Sequence, residues 1–443
     1  MKRFWLVLLS LGLTMSFSVS AFAVDVKFSG SMYAAGMYVN KTSLTDAGDG
    51  QNTAFYFQRL RLQTEFIAAP GVSVITRADV MERVWGATRT AATDTGASTS
   101  GSLATKAENE NIGFDYAFIQ YATPMGTFKV GAQPAGTWGT VFGDSAGPAF
   151  RIWYMSPSLG GNFQVIALMQ KGLENSYTAN NTTATQSDKD YEIYVAGLIY
   201  RTKPVTAGLA GYFYNNASTR DNTATSLKRK FYQVAPYALA NIGPVKIQAE
   251  LSYQFGKWAE YDTAAGNTDV KLDSLSYWLD ATANFGMVYV GGTFAYSRGE
   301  NADTADVKEN SLTGGLDWSP TLIMWNEDRA VWFGALTGNS VTGFGTGMSN
   351  AYLYQIRGGV KPTDKLDVMA SVTYATADTT PAGYVSKNYG YEVDVTGTYK
   401  ITSNLSYMLG IGYLITGDYF KGTDSNNKVV NDYLVINKLT LTF

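Results

Sequence analysis

Residues 244–255 read PVKIQAELSYQF. On an extended chain, Val245, Ile247, Ala249, Leu251, Tyr253 and Phe255 fall on one side. Lys246, Gln248, Glu250, Ser252 and Gln254 fall on the other. Side chains of a strand point alternately to two faces, so this is a strand with one apolar and one polar face. The pattern recurs in VKLDSLSYWLDATANF (270–285), where Leu275, Tyr277, Leu279, Ala281, Ala283 and Phe285 oppose Ser274, Ser276, Trp278, Asp280, Thr282 and Asn284. It recurs again in LDVMASVTY (366–374) and in LSYMLGIGYLI (405–415). After residue 23 neither helical spacing nor a run of about 18 apolar residues is found, so no transmembrane helix is expected.

The connections between these strands are of two kinds. Short ones carry Pro or Gly, as in AAPG (68–71), TPMG (123–126), PSLGG (157–161), RTKP (201–204), NIGP (241–244) and KPTDK (361–365). Long polar ones cover 40–54, 83–110, 171–190, 215–229, 256–270, 377–388 and 416–431. Alternation of tight turns with long loops is what an up-and-down barrel in a bacterial outer membrane needs. Phe66, Tyr121, Tyr200, Phe285 and Tyr399 lie beside short turns, where an interfacial aromatic girdle would sit. The expected fold is therefore all-β: a transmembrane antiparallel β-barrel of about 18 strands, or 20 if 311–325 forms an extra hairpin.

Composition agrees. Hydrophobic residues make up 45% of the chain and aromatics 14%, while charged residues are only 16%, well under the roughly 25% of ordinary domains. Residues 1–23 have a basic start (Lys2, Arg3), an apolar run from Phe4 to Leu13 and an Ala21-Phe22-Ala23 close, the layout of a cleaved export signal. Residues 24–443 then form a single barrel domain with no plug ahead of the first strand. Loss of Lys2 and Arg3 leaves 32 basic residues against 37 acidic ones, a net charge of −5 that gives no reason to expect a nucleic-acid partner. The chain has no cysteine and no histidine. That excludes Ser-His-Asp and Cys-His catalysis and His-based zinc sites, so neither an enzyme nor a cofactor or metal is expected.

A barrel this wide encloses a lumen. PAGTWGTVFGDSAGPAF (134–150), the third long connection, is apolar enough to fold inward, with Trp138, Phe142 and Asp144 as constriction residues. In FYFQRLRLQTEF (55–66), alternation puts Arg59, Arg61, Gln63 and Glu65 on the lumen side. In VSVITRADVMER (72–83) it puts Arg77, Asp79 and Arg83 there, and Arg151 opens the strand after the loop. Opposite Asp144, such an arginine ladder would set a transverse field that selects ions. The plainer reading pairs the arginines with Glu65 and Asp79 as wall support. Trp278 fits either stacking on a sugar or packing against an inward loop. In the last stretch, Tyr433, Leu439, Leu441 and Phe443 share one face, and this strand must pair with the first, near Val24–Tyr38, because lipid offers no partner to an open edge.

With its signal segment, alternating strands, Gly- and aromatic-bearing third loop and final Phe443, the chain resembles Gram-negative outer-membrane porins. In its GGLDWSP (314–320) region it is similar to those of anaerobic, metal-reducing proteobacteria. The resemblance implies an outer-membrane location, passive diffusion of small hydrophilic solutes and ions, and a homotrimer. It also implies a third loop folded beside a basic cluster, here Arg59, Arg61 and Arg77, and a closing strand (Tyr433, Leu439, Leu441, Phe443) read by the barrel-assembly machinery. The single acidic residue of the loop, Asp144, departs from the pattern and weakens any expectation of strong cation selectivity. A second reading is a barrel sheathing a multihaem cytochrome; the chain itself has no haem-attachment C-x-x-C-H motif.

Overall fold

The computed structural model describes residues 24–443 except 42, 47–51, 87–111, 146, 176–188, 221, 222, 224, 264, 265, 302, 312–314, 316, 340 and 346. The export-signal segment and the 87–110 part of the second long loop lie outside the described residues.

The barrel wall runs β1 (Asp25–Val39), β2 (Thr53–Ala69), β3 (Val72–Val84), β4 (Ile112–Thr123), β5 (Gly126–Pro134), β6 (Pro148–Met155), β7 (Phe163–Leu173), β8 (Tyr191–Arg201) and β9 (Val205–Asn216). It continues through β10 (Leu227–Ile242), β11 (Val245–Tyr261), β12 (Val270–Phe285) and β13 (Val288–Ser297). After a long connection carrying β14 (Val307–Lys308), helix α1 (Glu327–Trp332) and the hairpin β15 (Leu336–Gly338) and β16 (Val341–Phe344), the wall resumes. Its last strands are β17 (Ala351–Thr363), β18 (Leu366–Thr376), β19 (Asn388–Lys400), β20 (Leu405–Thr416) and β21 (Asp432–Thr442).

Each wall strand pairs antiparallel with its neighbours, β13 pairs with β17, and β21 pairs back on β1 from Ser31↔Thr442 to Val39↔Leu434. The result is a closed barrel of eighteen strands. Residues 311–325 add no hairpin to the wall; β14 is an extra short strand laid parallel on β12. Closure satisfies the backbone of every wall strand and leaves no edge to lipid. The turns are tight where the sequence has Gly: Gly71 turns with φ +80°, and a Cβ there would stand 2.5 Å from the Ala122 carbonyl oxygen. At the other rim β10 and β11 outrun the expected boundary, because Lys228 and Glu260 extend the alternation in charged form.

The outer face is apolar. Ile119, Val130, Ile152, Ile356, Val393 and Ile411 are all exposed there, an arrangement that water would penalise and hydrocarbon favours. Aromatics ring both edges of this band. At the turn rim, Phe128 packs on Tyr154 (4.9 Å) and Phe163 on Tyr200 (5.0 Å). At the loop rim, Phe213 meets Tyr232 (5.2 Å), Phe294 meets Tyr354 (5.1 Å) and Tyr374 meets Tyr391 (4.7 Å). The barrel spans a membrane with strands; no described helix is long and apolar enough to do so.

The buried core lies inside the barrel, not in its wall. The connection between β13 and β17 folds into the lumen at its described residues. Trp325, Ile323, Met324, Leu336 and Met348 are buried there against Leu353 of β17, Leu414 of β20 and Leu434 and Ile436 of β21. This inward segment, the insert, lies between β13 and β17, within the wall sequence and not ahead of the first strand.

Candidate pore constriction

The arginine cluster grows from two bulges. Between β2 and β3 the register is Arg61↔Asp79 and Leu60↔Val80, then slips so that Gln58 faces Arg83 and Phe57 faces Val84. Met81 is the extra residue, at φ +53°. Paired residues share a face, so the slip turns Glu82 into the lumen, where it meets Arg59 (3.5 Å), and turns Arg83 to the outer side with Gln58. Arg83 is thus not a lumen residue, contrary to strict alternation from Asp79. A second bulge, between β3 and β4, lets Asp115 and Tyr116 both point inward.

These inward groups form one network. Arg61 donates to both Asp79 oxygens (2.7 and 2.6 Å) and lies 3.4 Å from Asp115. Arg77 donates to Asp115 (2.7 Å) and stacks over Tyr116 (4.4 Å), whose hydroxyl donates to Gln63 (2.7 Å). Arg59 lies over Tyr33 (5.1 Å). Two-pronged arginine–carboxylate pairing fixes the guanidinium planes as well as their charge. Glu65 takes no part; its ion partner is Lys27, 3.7 Å away toward the turn rim.

The third loop, L3 (residues 135–147), crosses to the far wall. Trp138 Nε1 donates to the Ala235 carbonyl of β10 (2.8 Å). Thr140 donates its backbone N–H and its hydroxyl to one Glu250 oxygen of β11 (both 2.6 Å). Gly139 and Gly143 make that approach possible, because a Cβ at either would collide with the Glu250 carboxylate. Phe142 stacks face to face on Trp278 of β12 (6.0 Å, 5° between planes) and meets the edge of Trp318 (5.1 Å). Trp278 therefore packs against an inward segment. Asp144 stands beside Glu250, and its carbonyl accepts from the Asp317 N–H (3.2 Å).

The insert supplies the carboxylates that the sequence reading sought in L3. Its turn is held by Glu392 of β19, fully buried, which accepts from the N–H groups of Leu322 (2.9 Å), Ile323 (2.6 Å) and Met324 (2.8 Å). Asn326 then caps α1 by accepting from the Arg329 N–H (3.0 Å). Asp328 pairs with Lys438 of β21 (2.6 Å), and Trp332 stacks on Phe57 of β2 (4.8 Å). Burial pushes the Asp317 carboxyl above its usual range, while the fields of Arg61, Arg59 and Arg77 pull it down. Glu327 is pushed up to about 7 by burial and by Asp317 and Asp328, against the pull of Arg59 and Lys438. Asp317 thus stands in the field of Arg61, Arg59 and Arg77, and Glu327 in that of Arg59 and Lys438.

Two spaces flank these segments. A cavity of about 240 Å³ is lined by Tyr33, Arg59, Glu82, Glu327, Asp328 and Lys438. A larger one, about 520 Å³, lies between L3 and β6–β12 and takes in Arg151, Trp138 and Glu250. Sequence reasoning missed Glu82, Asp115, Asp317, Glu327, Glu250 and Glu392. The first two are re-aimed by bulges, and Glu250 and Glu392 were visible only as polar members of alternating strands. On β21, Tyr433, Leu439, Leu441 and Phe443 point outward and are exposed, and Phe443 exchanges backbone hydrogen bonds with Gly30 (2.8 and 3.0 Å).

No known protein family and no curated protein matches the chain. Among solved structures it is similar to OccAB3 of Acinetobacter baumannii, with a TM-score of 0.53 at 12% identity over 94% of this chain and 100% of that one. It is also similar to the outer membrane protein opdK of Pseudomonas aeruginosa (TM-score 0.49, 14% identity, 94% and 99% covered). A third is an anion-selective porin from Comamonas acidovorans (TM-score 0.48, 12% identity, 95% and 99% covered). At such identities the likeness is one of fold alone.

Proposed function

We propose that this chain is a porin of the bacterial outer membrane that passes small hydrophilic solutes and ions by diffusion and is not an enzyme. One observation carries the reading: Arg59 on the wall and Glu327 on an inward segment line one cavity inside a closed barrel with an apolar exterior, and Asp317 of the same segment lies in the field of Arg59, Arg61 and Arg77. Opposed fixed charges across a narrow, partly dehydrated passage orient and sort charged solutes. L3 and the insert meet at Phe142 and Trp318, so the two together set the bore. The outward residues of β21 serve as the signal for the barrel-assembly machinery in this reading, and the resemblance adds a homotrimer. A barrel sheathing a cytochrome finds no support, since the chain's own segments stand where the partner would pass.

Purified protein in a planar bilayer should give discrete conductance steps in potassium chloride. A reconstituted, folded barrel that stays silent would sink the channel. A single-barrel mass in mild detergent would remove the homotrimer alone.

A further inference from the structure

We propose that Tyr38 of β1 and Tyr433 of β21 form an oxidative cross-linking site, where a one-electron oxidant joins the two rings into a dityrosine and closes the barrel covalently. The first ground is the geometry of the pair. The rings stack with centroids 5.6 Å apart and planes 27° from parallel, and the two hydroxyls stand 3.4 Å apart. Neighbouring hydroxyls on near-parallel rings bring the adjoining ortho carbons alongside each other, and those carbons carry spin in a phenoxyl radical. Tyr38 lies opposite Val435 in the β1–β21 register. Tyr433 is therefore its diagonal neighbour on the same face, a spacing that aromatic side chains span. The Asn40 N–H donates to the Tyr433 carbonyl (3.0 Å) and ties the two backbones together beside the rings.

The second ground is place. Both rings sit on the outer face at the loop rim, since β1 ends at Val39 and β21 begins at Asp432, and Tyr433 is 39% exposed. A small oxidant in water reaches this edge, whereas Tyr389 and Tyr419, 4.6 Å apart, are buried in the lumen. Every other pair of neighbouring wall strands is also linked through a turn, a loop or the insert. Tyr374 and Tyr391 (4.7 Å), for instance, bridge strands that a loop already joins. Tyr38 and Tyr433 are 395 residues apart, and the chain has no cysteine to place a disulfide across the join. In the reaction each phenol gives one electron to the oxidant and one proton to water. The two radicals combine in one bond between ortho carbons, and the hydrogen on each of those carbons moves to its ring oxygen as aromaticity returns. The pair loses two electrons and two protons in all, and no atom is added.

A ruthenium tris-bipyridyl photo-oxidant is the probe, with persulfate as the final electron acceptor, leaving sulfate. It is applied to the dilute, detergent-solubilised full chain and to Tyr433→Phe. In the parent, light should produce dityrosine fluorescence and one new proteolytic species. That species is the peptide bearing Tyr38 joined to the peptide bearing Tyr433, at their summed mass less two hydrogens. The linked chain should run as a ring on a denaturing gel. Its folded barrel should melt several degrees higher, because a long closed loop removes entropy from the unfolded chain. Tyr433→Phe should lose both the link and the rise, and its heat-sensitive gel migration separates this loss from misfolding. Light that couples N-acetyltyrosine amide in a parallel tube but gives no 38–433 link in the parent overturns the site. So does coupling of Tyr374 to Tyr391 without that link, or a 38–433 link formed only between separate chains.

Discussion

The lumen has two unlike halves. Along β17–β21 and β1 the inner face is largely a dry core, with Tyr33, Met37, Leu353, Leu414 and Ile436 packed against the insert. Along β2–β12 the inner face carries the arginine network, L3 and the larger cavity. Both halves come from the same period-two pattern. What separates them is the balance of inward residues: mainly Ala, Met, Leu and Ile around a few buried charges such as Glu392 where the insert packs, and an open cluster of Arg, Asp and Gln in the other half. An alternating strand states which residues share a face, but not whether that face meets water or another segment.

The comparison is broken most drastically by releasing the insert. Glu392→Ala removes the acceptor for three buried N–H groups and should cost about 3–5 kcal/mol. The thermal midpoint of the gel shift should fall and the unit conductance should rise; unchanged conductance would mean that the insert does not narrow the passage. Next in size is the charged half. Converting Arg59, Arg61 and Arg77 together to Gln should move the salt-gradient reversal potential severalfold toward cation preference, and an unmoved potential would reduce the cluster to wall support.

A subtler effect lies where the halves meet. Glu327, with its carboxyl pushed up to about 7, gains its charge as pH rises through neutrality, so cation preference should rise between about pH 6 and 8. Because folding raises this pKa, ionisation destabilises the folded state as pH climbs from the usual carboxyl range to about 7. Glu327→Gln should therefore flatten the selectivity profile and stabilise the barrel most above pH 7. A pH-dependent profile surviving in that variant would assign the effect elsewhere. The smallest effect is expected from Arg83→Gln, which leaves selectivity where it was because the Met81 bulge turns that side chain outward. A clear selectivity change would place Arg83 back in the lumen.

Much of this was legible in the residues themselves. Alternation gave the strands and their lipid faces, and closure of the last strand on the first followed from the cost of an open edge. The inward course of 298–350 was not legible, because its Gly, Ser and Thr content reads as surface loop. The signals against that reading were the apolar run Leu322–Trp325, the further Trp332 and Met348, and two carboxylates, Glu392 and Asp394, in one inward row of β19. Bulges were the other blind spot. One extra residue reverses every later side chain, and neither extra residue, Met81 or Asp115, is itself a glycine that would announce it.

The join between β1 and β21 has a consequence for the order of assembly. Ser31 and Thr442 are partners across almost the whole chain, and bringing such distant ends together costs about 5 kcal/mol of chain entropy before any rung forms. Helix α1 touches both sides of that join: Trp332 lies on Phe57, beside β1, and Asp328 holds Lys438 of β21. Zipping up the cylinder and seating its internal segment are therefore coupled events. Neither docking surface is whole until the first and last strands stand side by side, and once they do, the helix rivets the join from within.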